Sequence, residues 1–110
     1  MNWRKLTSES EFDHILMQSL SEGSAFLLFK HSTRCMVSTM ALRSFEADFD
    51  SQVTAYFVDL IKYRSLSNHI ASVTGVTHQS PQVISIKSGK VTYHESHYKI
   101  SAEHSVSGLV

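Results

Sequence analysis

The stretch Ala25-Phe26-Leu27-Leu28-Phe29-Lys30-His31-Ser32-Thr33-Arg34-Cys35-Met36-Val37-Ser38 decides how the chain folds. Its first five residues form a continuous apolar run of strand length, the pattern of a central strand covered on both faces. Lys30 to Arg34 read as a polar break. From Cys35 onward Val37, Ala41, Phe45 and Phe49 recur every fourth residue, with Met40 and Leu42 beside them, a helical stripe. The prediction is a buried strand, a short loop and a helix with Cys35 at its N-terminus.

The same kind of alternation continues outward in both directions. Upstream, a short extended piece around Trp3 to Leu6 precedes Ser8 and Glu11, whose spacing suits a capping box. The helix it opens turns Phe12, Ile15, Leu16 and Leu20 inward and stops at Gly23. Downstream, Val53 to Val58 is rich in β-branched and aromatic residues and predicts the next strand, closed by Asp59. Ser65 or Ser67 can cap a short helix that buries Leu66, Ile70 and Val73 and ends at Gly75. Pro81 opens the run Val83-Ile84-Ser85-Ile86, and Ser88-Gly89 offers a tight turn into Val91-Thr92-Tyr93, an antiparallel hairpin. A last helix starts at Ser101 and uses Val106, Leu109 and Val110. The order is β-α-β-α-β-α-β-β-α, which predicts an α/β fold with a mixed central sheet and helices on both faces. Residues 1–110 fit a single domain of ordinary size.

Composition narrows the function. Ten basic and ten acidic residues are interspersed, so no charged block suggests nucleic acid or an anionic membrane as partner. Ala25 to Phe29 is far shorter than the ~20 residues of a membrane helix. Met1-Asn2-Trp3-Arg4-Lys5-Leu6-Thr7 lacks the apolar stretch of a secretory signal, so a cytoplasmic location is expected. Oligomeric state leaves no trace in the sequence.

Cys35 is the only cysteine and cannot form an internal disulfide. Unpaired cysteines commonly serve as small buried apolar residues, but the neighbours of this one favour chemistry. A thiol in the first turn of a helix meets unpaired N–H groups and the positive end of the helix dipole, and Arg34 adds a full charge next door. Such surroundings lower a thiol pKa from ~8.5 into the range of roughly 3.5–7.5. Ser38 stands where dithiol oxidoreductases place a second cysteine, so any disulfide formed on Cys35 must be released by an outside thiol. Ser38 can donate a hydrogen bond to the Cys35 sulfur and so stabilise the thiolate, or it can be an ordinary polar helix residue.

The segment Phe29 to Ser38, with Leu66-Ser67-Asn68-His69-Ile70-Ala71, His78-Gln79-Ser80-Pro81-Gln82 and Ser96-His97, resembles the YtxJ-like monothiol bacilliredoxin family over nearly the whole chain. The resemblance implies a thioredoxin-like fold and removal of bacillithiol from S-bacillithiolated client proteins, with bacillithiol as co-substrate and no bound cofactor. In thioredoxin-like folds a cis-proline faces the active cysteine. Pro81, the only proline, is either strand punctuation or that residue, and the element order favours the second reading. Thr33, Arg34, Ser80 and Pro81 are then the candidates for holding the small thiol, Arg34 by pairing with its carboxylates. One position departs from the family: Met36 replaces the usual proline after the cysteine, which bears on the reactivity of Cys35.

Other readings are weaker. Strand alternation puts His94 and His97 on opposite faces, so no metal site is expected there. His31 or His78 could act as base to Cys35 in a cysteine hydrolase, but no third orienting residue stands out. Ser32-Thr33-Arg34-Cys35 resembles a peroxiredoxin Thr-x-x-Cys site only loosely, and a cluster-binding monothiol glutaredoxin would need Cys-Gly-Phe-Ser. The main rival is a non-enzymatic adaptor that docks extended peptides beside Pro81.

Overall fold

The apolar run does become the central strand. In the computed structural model, which describes residues 1–109, β1 (Trp3–Lys5), α1 (Glu9–Glu22), β2 (Ala25–His31), α2 (Met36–Asp48) and β3 (Thr54–Asp59) follow one another. They lead into α3 (Arg64–Thr74), β4 (Gln82–Lys87), β5 (Lys90–Ser96), a 3-10 turn (His97–Lys99) and α4 (Ala102–Ser107). The sheet order is β1-β3-β2-β4-β5, with β1, β3 and β2 parallel and β4 and β5 antiparallel.

Strand alternation divides the core into two layers. Phe26 and Leu28 join Phe12 of α1 and Leu66 and Ile70 of α3 on one face. Leu27 and Phe29 join Phe45 of α2 and Ala102 and Leu109 on the other. Phe29 carries Trp3 and Phe45 against its ring, with centroids 5.8 and 5.4 Å away.

The predicted boundaries hold at most ends. The Glu11 N–H donates to the Ser8 hydroxyl at 3.2 Å, while the Glu11 carboxylate accepts from the Thr7 N–H, one residue earlier than a capping box requires. Gly23 and Gly75 end their helices at φ 68° and 74°. Ser88 and Gly89, both at positive φ, make the hairpin turn. The Ser101 hydroxyl caps α4 by accepting from the His104 N–H. Val110 lies outside the described residues.

Four expectations need correction. The strand does not stop at Phe29: Lys30 and His31 extend β2, because their backbones still pair with Val58, Asp59 and Gln82. Leu20 is 56% exposed and lies over Gly89, where an added Cβ would come within 2.9 Å of the Leu20 Cβ. The inward place goes to Ser19, whose hydroxyl donates to the Ser24 carbonyl and accepts from the Gly89 N–H. Neither Ser65 nor Ser67 caps α3. Both lie inside it, Tyr63 takes the N-cap without a side-chain bond, and the buried stripe is Leu66, Ser67 and Ile70, leaving Val73 largely exposed.

Candidate functional site around Cys35

Cys35 is the N-cap residue of α2, in extended conformation (φ −112°, ψ 122°) and half-buried. Its N–H donates to the Ser32 carbonyl at 3.2 Å, and its carbonyl accepts from the Thr39 N–H at 3.1 Å. Thr33 and Arg34 project from the loop before it, both exposed.

The loop is held from below. Ser38, fully buried in the first turn of α2, accepts a hydrogen bond from the Ser32 N–H at 3.0 Å and shares another with His31 Nδ1 at 2.8 Å. The His31 ring packs on Phe57, 5.4 Å between centroids. Burial holds His31 below the usual imidazole range, against the opposing pull of the Asp59 carboxylate, the Ser38 hydrogen bond and the Glu46 carboxylate. Burial therefore favours the neutral ring.

Ser38 does not take the place expected of it beside the sulfur. No hydrogen bond joins it to Cys35 among the described residues; its hydroxyl is on the inward face of the helix, engaged with His31 and Ser32. Its effect on Cys35 runs through the backbone, since Ser38 fixes Ser32 and Ser32 fixes the Cys35 N–H. Met36, at the first helical position, is 73% exposed. Proline suits that position because its N–H is outside the helical bonding in any case. Met36→Pro is expected to fold normally and to gain up to about 1 kcal/mol; a thermal unfolding midpoint well below the parent's would contradict this.

The Ser80–Pro81 peptide bond is cis, and Pro81 is buried. The register Lys30↔Gln82 sets the start of β4 beside the end of β2, so Pro81 and the Cys35 loop share one end of the sheet. The Pro81 carbonyl accepts from the His97 N–H at 3.0 Å. His97, Tyr98 and Ile100 in turn face Val37, Met40 and Ala41 of α2 across a cavity of about 180 Å³. The Ser80 hydroxyl is buried without a hydrogen-bond partner among the described residues.

The two histidines considered as bases are placed differently. His31 is committed to Ser38, and His78 lies on the α3 face with Ser67 Oγ at 3.1 Å and Lys30 Nζ at 3.4 Å. Neither hydrogen-bonds to Cys35 among the described residues. Burial lowers the His78 pKa, and the positive charges of Lys30 and Arg64 lower it further. His94 lies in β5, whereas His97 has left the strand at φ 57°. Among the described residues no group of three or more His, Cys, Asp or Glu side chains is placed to hold a metal ion.

A mixed sheet between two helical layers, with one thiol capping the helix after the central strand and a serine one turn on, defines a thioredoxin-fold protein of the monothiol kind. The chain belongs to the monothiol bacilliredoxin family: the family described as monothiol bacilliredoxin BrxC matches residues 4–104. Among solved structures it is similar to a presumed oxidoreductase with a thioredoxin fold, at 27% identity and TM-score 0.77, covering 90% of this chain and 86% of that one. Thioredoxin from Schistosoma mansoni matches at 15% identity and TM-score 0.71, covering 98% and 93% of the two chains. Thioredoxin from Fasciola hepatica matches at 19% and 0.64, covering 86% of each. At these identities the two thioredoxins show the fold. Family and fold together support a thiol redox function. No helix among the described residues is long and apolar enough to cross a membrane.

Proposed function

We propose that the chain removes bacillithiol from S-bacillithiolated proteins in the cytoplasm, through a mixed disulfide on Cys35. The observation that carries this reading is a single half-buried thiol at the N-cap of α2, on a loop fixed by the Ser38–Ser32 hydrogen bond, with no second thiol in the chain. In the first step the Cys35 thiolate attacks the bacillithiol sulfur of the client's mixed disulfide. The Cys35–bacillithiol bond forms, the client sulfur leaves with the bonding pair and takes up a proton, and the client is reduced. In the second, the thiolate of another bacillithiol attacks the bound one, releasing Cys35 and a bacillithiol disulfide; the reducing equivalents come from the small thiol throughout.

Arg34, exposed beside the thiol and in no ion pair among the described residues, suits the carboxylates of the small thiol. Thr33 offers a hydroxyl from the same loop. Ser80 and Pro81, at the same end of the sheet as the Cys35 loop, supply the opposite wall. No resident cofactor takes part in either step.

Incubation with oxidised bacillithiol followed by intact-mass measurement tests the reading. One bacillithiol is expected on the parent chain, released by added bacillithiol, and none on Cys35→Ser. A parent chain that stays unmodified, while a folded state is verified by circular dichroism, rules the mechanism out and favours a non-enzymatic peptide adaptor.

A further inference from the structure

Lys30 is the least expected residue of the central strand. Its side chain is fully buried on the α3 face, and no carboxylate pairs with it among the described residues. Its ammonium donates to the Ser67 carbonyl at 3.1 Å and lies 3.4 Å from His78 Nδ1. Directly across the sheet stands Gln82, 2% exposed, whose Nε2 donates to the Thr77 carbonyl at 2.9 Å. These paired strand positions thus reach out of the core to one turn, Thr77 to Pro81, at two successive residues. Ser67 Oγ, at 3.1 Å from the same His78 nitrogen, ties that turn to α3 as well.

A buried cation without a counter-charge weakens a fold, and an apolar side chain of equal length would pack there at no such cost. What the ammonium does in return is local. We propose that Lys30 is a positioning residue for the thiol site: clamped between the Ser67 carbonyl and the His78 ring, it fixes the Thr77–Pro81 turn that brings Ser80 and Pro81 to the Cys35 end of the sheet. The proposal rests on the bacillithiol reading for its substrate, but not for its geometry. Lys30 touches no reacting atom; it acts through His78 on the wall against which an extended client lies.

Lys30→Met keeps the length of the side chain and removes the charge, and His78→Phe removes the other partner. Amide hydrogen exchange, which needs no substrate, is expected to run about tenfold faster at residues 77–80 in Lys30→Met, with residues 32–36 unchanged. With an S-bacillithiolated peptide, KM is expected to rise about tenfold at near-constant kcat in either variant, and the double variant to show little further loss. Reaction of Cys35 with a small aromatic disulfide, which needs no peptide wall, is expected to stay within about twofold. Unchanged exchange at residues 77–80, or equal losses with peptide and small disulfide, overturns the role of Lys30. A parent chain that accepts no bacillithiol refutes the functional reading instead, while hydrogen exchange still decides for or against Lys30.

Discussion

Ser38→Cys is expected to turn a chain that needs an outside thiol into one that releases its partner unaided. Residues three apart at a helix start face one another, the spacing of every Cys-x-x-Cys dithiol site, and Ser38 already occupies the buried second place. With a thiol there, the mixed disulfide on Cys35 has an attacking group inside the same molecule, and a step that was first order in added thiol becomes independent of it. The substitution also weakens the hydrogen bonds to His31 Nδ1 and the Ser32 N–H, at a cost of about 1–3 kcal/mol, since both groups are buried. The check is release of a labelled peptide from its Cys35 mixed disulfide with no thiol added. Complete release with loss of both alkylatable thiols is the expected outcome; a stable adduct on the variant would show that residue 38 cannot reach the sulfur.

Lys30→Met is expected to be more stable than the parent near neutral pH, with the advantage fading in alkali. Burial pushes the Lys30 ammonium down to about 8 from its ordinary 10.5. Below pH 8 both folded and unfolded chains carry the proton, and the folded one bears the full cost of the buried charge. Between about 8 and 10.5 the unfolded chain binds the proton and the folded chain does not, so parent stability climbs with pH across that window. The whole difference amounts to about 3 kcal/mol. Urea denaturation of both chains near pH 7 and near pH 10 measures it as a gap between parent and variant that closes. A gap of constant size would mean that Lys30 does not change charge in the folded state.

Much of this was legible in the sequence because it is local. The five apolar residues of β2, the helical stripe after Cys35 and the glycines at helix ends each declare themselves within a few positions. So did the chemistry of the single thiol, since the absence of a resolving cysteine follows from the residue count. Lys30 and His31 read as loop because polarity usually marks the end of a strand, whereas backbone pairing with both neighbours carries β2 on to His31. The partner of Lys30 is not near in sequence either, since His78 is 48 residues away, while Ser38, close to His31 in the chain, meets its ring rather than the sulfur because the helix turns it inward. Leu20 and Val73 failed for a related reason. Both fit their apolar stripes, but Ser19 and Ser67 take the inward positions to serve the hairpin turn and the His78 ring.

The last two residues of β2 point to opposite sides of the sheet, Lys30 towards α3 and His31 towards α2. One rod of backbone therefore carries two anchors, one for each wall of the thiol site. A saturation screen for loss of function should consequently map onto two patches, one in each helical layer, joined at the tip of β2 and again where the Pro81 carbonyl accepts from the His97 N–H beside α2.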